Sequence, residues 1–269
     1  NYSVSTPTPP QYCPTPRELD DLELLVNGAL APTATFDEPG SPVTLSLPDD
    51  VAAAASTAGE VELVDPEGLP LARVAVPGGT ITPLTQPQYG PFRRLYLSPA
   101  QVRARYAGRT VVPVVDALTE AELAVIGSTG PVLLLALVGH GTPELSPTAL
   151  IRATLAAADL LPDAVVVAVP LASHQDAEAD HALGLQVVAN YAAEDPVIGV
   201  PDSDSPCPPA IEAIVERDRP APADQGLVLF FTGLSGSGKS TLARALMDRI
   251  LEQGDRTVTT LDGDVVRRH

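Results

Sequence analysis

A glycine-rich stretch in the last quarter of the chain has the residue types and the spacing that bind phosphate. Residues 233–240 read Gly-Leu-Ser-Gly-Ser-Gly-Lys-Ser, which fits the pattern G-x-x-x-x-G-K-[ST]. Its glycines let the backbone curl so that successive N–H groups point at one anion. We expect Lys239 to place a positive charge beside the terminal phosphates of ATP, and the Ser240 hydroxyl to ligate Mg²⁺.

The elements that must position this loop are also visible in the sequence. An apolar run at 227–231 predicts a strand, and Leu242, Leu246 and Ile250 recur along one helical face that ends at Gly254. A helix that starts near Lys239 would turn its positive end toward the phosphates. Lys239 is the only lysine of the chain. Its compact ammonium suits this position better than the planar fork of arginine.

A second group of chemical residues follows a second predicted strand at 257–261. Asp262 and Asp264 stand at its carboxyl end, and Arg267 comes directly behind them. Because the ends of neighbouring strands meet in one crevice, the carboxylates would face the phosphate site. They could hold Mg²⁺ or accept a proton from an attacking hydroxyl, and the basic residue could hold an anionic acceptor.

The composition limits the class of protein. The chain of 269 residues has a net charge of −18 and an isoelectric point near 4.4. This charge argues against nucleic acid and against an anionic membrane surface as partners. No apolar run reaches the length of a membrane span, and no signal peptide is visible. Two distant cysteines, Cys13 and Cys207, are expected to be free thiols in a reducing cytoplasm.

The first hundred residues predict a small, mostly β domain behind one capped helix. Thr15 to Glu18 form a capping box for a helix that ends at Asn27-Gly28. From 32 to 91, short alternating runs predict strands separated by turns at 65–68 and 77–79. The runs are 43–47, 60–64 and 73–76.

The next hundred residues follow an α/β pattern. A capped helix starts at Ser98 and stops at Gly108. Apolar runs at 110–115, 132–138 and 164–169 then predict buried parallel strands, with helices near 119–126 and 148–161. His140 and His174 fall at strand ends, where ligands of open α/β sheets bind. A metal site of His140, His174 and His181 is one interpretation. A solvated acidic loop over 174–181 is the interpretation that we favour, because this spacing fits no helical ligand pair.

The C-terminal motifs resemble those of adenylyl-sulfate kinase (APS kinase). The resemblance rests on T-G-L-S-G-S-G-K-S-T, a helix, and then L-D-G-D-x-x-R, with Val265 where that family commonly has Asn. It implies transfer of the ATP γ-phosphate to the 3′-hydroxyl of adenylyl sulfate, with Lys239, Asp262 and Asp264 as catalytic residues. It also implies that Arg267 binds the substrate and that Ser240 binds Mg²⁺. The implied ATP-binding residues are Gly233, Leu234, Ser235, Gly236, Ser237, Gly238, Lys239, Ser240 and Thr241.

The N-terminal region resembles ATP sulfurylase (sulfate adenylyltransferase). The stretch L-D-D-L-E-L-L-V-N-G-A-L-A-P at 19–32 looks like the opening of that family, and 64–72 and 181–202 resemble later parts. The resemblance implies a PUA-like β domain. The family's Q-x-R-N-P-x-H-x-x-H should fall near 112–122, where this chain has neither Arg nor His. Val200 and Ser203 replace the Arg and His of its G-R-D-H. Because sulfurylase chemistry gathers anions, we expect an inactive scaffold.

Together these features predict an α/β protein with three parts. They are a PUA-like domain at 1–108, a Rossmann-like degenerate sulfurylase domain at 109–205, and, after a linker at 206–225, the first part of a P-loop kinase domain at 226–269. Two strands and one helix cannot cover a parallel sheet, so we expect the chain to be incomplete for catalysis.

Other functions remain open at this point. They are a bifunctional sulfate adenylyltransferase and kinase, a P-loop kinase of another small molecule, and a non-enzymatic assembly module. The expected location is the cytoplasm. The expected partners are adenylyl sulfate and either a second copy of the chain or a separate sulfate adenylyltransferase, with no nucleic acid and no membrane.

Overall fold

The structure is a computed structural model that describes residues 8–87, 90–141, 145–219, 229, 231–232 and 238–253. The chain divides into two compact units, residues 1–220 and 221–269, and each is described by itself. Within the described ranges, no helix is both long and apolar enough to cross a membrane.

The first unit begins with a four-stranded sheet and two helices. The sheet order is β1-β2-β3-β4, in which β1 runs parallel to β2 and the other neighbours are antiparallel. The elements are β1 (Gln11–Tyr12), α1 (Pro16–Val26), α2 (Asp49–Ala58), β2 (Glu60–Val64), β3 (Pro70–Ala75) and β4 (Ile81–Pro83). The predicted capping box of α1 is confirmed, since Thr15 and Glu18 each bond the other's backbone N–H.

A parallel α/β sheet follows and is also as predicted. Its strands pair in the order β5-β6-β7, with Val111 to Val114 in register with Leu133 to Ala136. The segment around Val197 adds a parallel bridge to β5 on the other side. The elements are α3 (Pro99–Tyr106), β5 (Thr110–Val114), α4 (Glu120–Gly127), β6 (Val132–Leu137), α5 (Pro147–Asp159), β7 (Ala164–Val169), α6 (Ala177–Ala192) and α7 (Pro209–Asp218).

The buried residues of the first unit form two cores, one on each face of the parallel sheet. Successive residues of β6 alternate between them: Leu133 and Leu135 belong to the first core, and Leu134 and Ala136 to the second. The first core continues through α6, α3 and α1 into the N-terminal sheet. The second core lies under α4, α5 and α7, where Ile211 is fully buried. The two sheets therefore share one hydrophobic layer.

Three of the predictions from the sequence are wrong. Residues 43–47 form no strand; Val43 is buried, but the segment is irregular. Residues 49–58 form helix α2 where only β structure was expected. The region 174–181 is not a solvated acidic loop: Asp176 caps helix α6, which carries His181, and His174 is buried. The predicted free thiols Cys13 and Cys207 are confirmed.

The described part of the second unit is mainly helix α8 (Lys239–Gln253). This confirms the predicted helix start near Lys239, while Gly254, where the sequence predicts the helix to end, lies outside the described residues. The apolar run at 227–231 lies largely outside the described residues, and the second predicted strand, 257–261, lies entirely outside them.

Candidate functional site

The start of helix α8 is the described part of the predicted phosphate site. Gly238 precedes the helix with φ +82°, a conformation that favours glycine, and a Cβ there would meet nothing within 4 Å. Its carbonyl accepts the first helical bond, from the N–H of Leu242 at 3.0 Å. Lys239 is the first helical residue and is partly buried, and Ser240 and Thr241 follow in the first turn. The backbone N–H groups of such a turn have no acceptor within their own helix, and the helix end is positive.

The other residues predicted for this site lie outside the described residues. They are Gly233, Leu234, Ser235, Gly236, Ser237, Asp262, Asp264 and Arg267. The described arrangement is thus a helix N-terminus with an ammonium and two hydroxyl-bearing residues in its first turn. Residues of these types at a helix N-terminus can bind phosphate and a phosphate-bound divalent cation.

The first unit brings a different set of polar residues together, at the carboxyl ends of β6 and β7. A Cβ on Gly139 would lie 1.8 Å from the backbone carbon and oxygen of Leu171, so only glycine fits this close approach. The N–H of Ser173 donates to the carbonyl of His140 at 2.9 Å, and the N–H of His140 donates to Asp20 of helix α1 at 2.7 Å. The two loops therefore contact each other and α1.

His174 lies between two carboxylates in this region. Its Nδ1 is 2.9 Å from Oδ1 of Asp180, its Nε2 is 3.1 Å from both oxygens of Asp21, and its side chain is 4% exposed. Burial opposes protonation of the imidazole, but the bonds and charges of Asp21 and Asp180 outweigh it and raise the pKa of His174. Asp21 is fully buried and also accepts a bond from Arg17 at 3.0 Å. This ion-pair network joins α1 to α6.

The carboxyl end of β5 is the place where a sulfurylase-like site would bind its anions. Val112 and Val114 are buried in the sheet, Val115 is 61% exposed, and the carboxylate of Asp116 accepts a bond from the next backbone N–H. The segment 110–122 contains no Lys, Arg or His, and neither does the segment 197–209 beside it. Arg109 lies just before β5 and is paired with Asp163 at 2.7 Å. The residues at this end offer no positive charge to sulfate or triphosphate.

The sequence analysis missed Asp20 as a candidate functional residue, and it missed the carboxylate partners of His174. A signal for the network was present, since the carboxylates of Glu18 and Asp21 occupy the same helical stripe as Leu22 and Leu25. An acidic residue on an apolar stripe indicates a buried ion pair or hydrogen bond. The sequence could not identify His174 as the partner of Asp21, because the two residues are 153 positions apart. Among the described ranges no group of three or more His, Cys, Asp or Glu has a metal-binding arrangement.

Comparison with protein families gives a match in the second unit. Residues 225–269 match the family described as adenylylsulphate kinase. An adenylyl-sulfate kinase from Chloroflexus aurantiacus is 61% identical over 44 residues, which cover 16% of this chain and 23% of that protein. An adenylyl-sulfate kinase from Paraburkholderia xenovorans is 56% identical over 46 residues, 17% of this chain and 25% of that protein.

A sulfate adenylyltransferase from Aspergillus terreus is 42% identical over 60 residues, which cover 22% of this chain and 11% of that protein. The chain thus spans a quarter or less of the length of each of these three relatives.

Comparison with solved structures gives a match over nearly the whole chain. A hexameric APS kinase from Thiobacillus denitrificans superposes with a TM-score of 0.71, covering 98% of this chain and 74% of that chain at 23% identity. At this level of identity the similarity concerns the fold. The chain therefore has the mixed α/β fold of that protein, and its residues 225–269 are similar in sequence to adenylylsulphate kinases.

Proposed function

We propose that the protein is an adenylyl-sulfate kinase, which transfers the γ-phosphate of ATP to the 3′-hydroxyl of adenylyl sulfate to give 3′-phosphoadenylyl sulfate. One observation carries this proposal: the match to the adenylylsulphate kinase family covers the phosphate-binding motif and the following Asp-Gly-Asp segment. The described start of α8 supports the ATP-binding part. The acceptor is assigned from Asp262, Asp264 and Arg267 through the family match.

Lys239 and the first-turn amides of α8 are assigned to the transferring phosphoryl group. In phosphoryl transfer the protein mainly positions the reactants and stabilises spread negative charge. An ammonium at a helix N-terminus provides both a point charge and a row of oriented N–H donors. We assign the remaining ATP contacts to residues 233–238 and Thr241.

Mg²⁺ fits the residues of this motif. The described start of α8 offers a serine, Ser240, in its first turn, and hydroxyl and carboxylate oxygens are the ligands that Mg²⁺ prefers. Ser240 would hold the ion, with Asp262 or Asp264 as a carboxylate partner. The ion would neutralise charge on the β- and γ-phosphates. The other carboxylate would orient the attacking hydroxyl and accept its proton.

Residues 1–205 are proposed to be a sulfurylase-like scaffold without sulfurylase activity, made of a PUA-like domain at 1–108 and a degenerate domain at 109–205. The absence of Lys, Arg and His from segments 110–122 and 197–209 supports this, because sulfate and triphosphate need cations there. A linker at 206–225 and the kinase part at 226–269 complete the proposed organisation. We place the protein in the cytoplasm.

We also propose that the protein self-associates, as a homodimer or a larger assembly, or that it contacts a separate sulfate adenylyltransferase. The relative of similar fold is hexameric, which supports self-association.

Matches to sulfate adenylyltransferases favour a second candidate, a bifunctional sulfate adenylyltransferase and kinase. That function would release pyrophosphate from ATP and sulfate. It would require cations that segments 110–122 and 197–209 do not supply. A P-loop kinase that phosphorylates another small alcohol is the third candidate.

The test is an ADP-release assay on the natural protein that carries this sequence, with ATP, Mg²⁺ and adenylyl sulfate. We expect turnover that falls by about a hundredfold or more in Lys239→Ala, because the variant lacks the charge that stabilises the transition state. The matched control is Arg249→Gln, which removes an exposed cation from the same helix away from its start, and which should retain activity. Lys239→Arg should remain weak, since the guanidinium fork is wider.

Other substrates separate the three candidates. ADP release with other small alcohols but not with adenylyl sulfate would contradict the acceptor and keep the ATP site. Pyrophosphate release from ATP in the presence of sulfate, without adenylyl sulfate, would establish the bifunctional enzyme and contradict the inactive scaffold.

A further inference from the structure

Two adjoining cavities lie within the first unit, between helix α1 and the segment 90–98. The larger has a volume of about 280 Å³ and the smaller about 250 Å³. Four residues line both of them, namely Asp20, Glu23, Arg93 and Tyr96. The proposed kinase reaction uses neither cavity.

The larger cavity has mostly apolar walls. Leu19, Leu22 and Val26 line it from successive turns of α1, and Leu69 and Leu71 line it from the start of β3. The ring of Tyr96 adds an aromatic wall. Burial of the apolar body of a ligand against such walls favours binding.

Glu23 and Arg93 form an ion pair, and Arg93 also contacts other groups. Arg93 binds both carboxylate oxygens of Glu23, donates from Nε to the carbonyl of Pro87 at 2.7 Å, and lies 4.6 Å from the centre of the Tyr96 ring. Each charge of this pair is compensated, so neither is offered to a ligand. In particular, Arg93 is not available to recognise an anion.

Asp20 is in a different position. One of its oxygens accepts the N–H of His140, and no Arg, Lys or His forms an ion pair with Asp20 among the described residues. The charges that affect it are those of Glu23 and Asp21, and both are negative. Burial, together with these two carboxylates, raises the pKa of Asp20 to about 7 in spite of the His140 bond. The ionised carboxylate therefore costs free energy that a bound cation would recover.

We propose that the larger cavity binds a small organic amine, whose apolar body lies against Leu22, Val26 and Leu69 and whose ammonium pairs with Asp20. Two other carboxylates line this cavity: Glu23 is paired with Arg93, and Asp65 accepts the backbone N–H groups of Glu67 and Leu69. Asp20, which forms no ion pair among the described residues, suits an ammonium better than a bare metal ion, which needs several oxygen ligands. The negative surroundings of Asp20 disfavour an anion.

The experiment is isothermal titration calorimetry of the full chain with 2-phenylethylamine and with its neutral counterpart 2-phenylethanol. We expect saturable binding of the amine at pH 8 and at least about tenfold weaker binding of the alcohol, which cannot form the ion pair. Because Asp20 must ionise to bind, amine affinity should fall about tenfold from pH 8 to pH 6. The other titratable or charged groups near Asp20 are Glu23, Asp21, Arg93, Tyr96 and His140, and comparison of the wild type with Asp20→Asn separates the titration of Asp20 from any of theirs.

Variants test the residues themselves. Asp20→Asn should weaken amine binding at least about tenfold at pH 8 and remove its pH dependence. Val26→Phe should weaken the binding of both 2-phenylethylamine and 2-phenylethanol, because the larger side chain fills the cavity. The matched control, Glu67→Gln, removes an exposed carboxylate that does not line the cavity and should bind as the wild type does. Failure to bind the amine, equal affinity for the alcohol, or unchanged amine affinity in a folded Asp20→Asn protein would each overturn the proposal. Circular dichroism checks the fold.

Discussion

Neighbouring carboxylates on helix α1 have opposite surroundings. Asp21 is fully buried but contacts His174 and Arg17. Asp20 lines a cavity, accepts the backbone N–H of His140, and forms no ion pair within the described part of the chain. A buried carboxylate with charged donors is stable in its ionised form, and one without them tends to keep its proton. Of these two adjacent residues, Asp21 therefore belongs to a structural ion pair and Asp20 is a candidate group for binding a ligand.

Loss of His174 should destabilise the protein. His174→Gln would leave Asp21 and Asp180 without their shared cation in a site where the side chain is 4% exposed. We expect the free energy of unfolding to fall by about 2–4 kcal/mol, measured by urea denaturation at pH 6.5. The matched control is His181→Gln, an exposed histidine seven residues along the chain, which should change stability by less than about 0.5 kcal/mol. Equal effects of the two substitutions would show that the network contributes little.

The residues of the phosphate loop could be predicted because their chemistry is local in sequence. Gly238, Lys239 and Ser240 are consecutive, and the helix that positions them starts where the pattern indicates. The His174 network could not be predicted in the same way, since its members come from positions 21, 174 and 180. Such a site depends on how α1 packs against α6, which no local pattern specifies.

In the parallel sheet, segments with a clear apolar pattern were predicted correctly as strands. Segments without such a pattern were not predicted as helices, and some of them are helices. The strands β5, β6 and β7 are continuous apolar runs and were all predicted. Helix α2 has only one buried residue, Ala55, and so shows no apolar stripe, although its alanines favour a helix. The acidic first turn of α6 suggested a loop, yet Glu178 and Asp180 are favourable at the positive end of a helix.

The contact between the loops after β6 and β7 should tolerate no side chain at Gly139. In Gly139→Ala the new Cβ would lie 1.8 Å from the Leu171 backbone, so the loops must separate. We expect a loss of about 1–3 kcal/mol or more in the free energy of unfolding, measured by thermal or urea denaturation. Gly199→Ala is the matched control, because its Cβ meets nothing within 4 Å and its φ is not positive. A Gly139→Ala protein as stable as this control would contradict the close approach.

At the scale of the whole molecule, the N-terminal sheet and the parallel sheet share one core. Helix α1 lies in this shared layer, with Leu22, Leu24 and Leu25 buried in it. Asp20 and His174 both lie at the edge of this layer. Burial raises the pKa of Asp20 to about 7, and the carboxylates of Asp21 and Asp180 raise the pKa of His174. Each residue should therefore hold a proton in the folded protein near pH 6.5. The stability of the first unit should therefore depend on pH.

The sign of this dependence follows from the two shifts. Unfolded Asp20 would release its proton near pH 3.8 and folded Asp20 near pH 7, so its contribution to stability is lost as pH rises through about 7. The contribution of His174 is fully present below its unfolded pKa of 6.5 and is lost as pH rises through its raised pKa. Both changes lower stability from pH 6 to pH 8. We expect a loss of up to about 1 kcal/mol per pH unit for each group, measured as a falling urea midpoint.

Single variants separate the two contributions. Asp20→Asn carries no titrating group at this position, so its urea midpoint should fall less between pH 6 and pH 8 than that of the wild type, and its stability at pH 8 should be higher. His174→Gln should also have a shallower slope, but from a lower starting stability, because it removes the cation that Asp21 and Asp180 share. Glu67→Gln, which removes an exposed carboxylate, should keep the wild-type slope. Parallel slopes for wild type and Asp20→Asn would mean that Asp20 is ionised throughout this range, and the amine site would then lose its pH dependence as well.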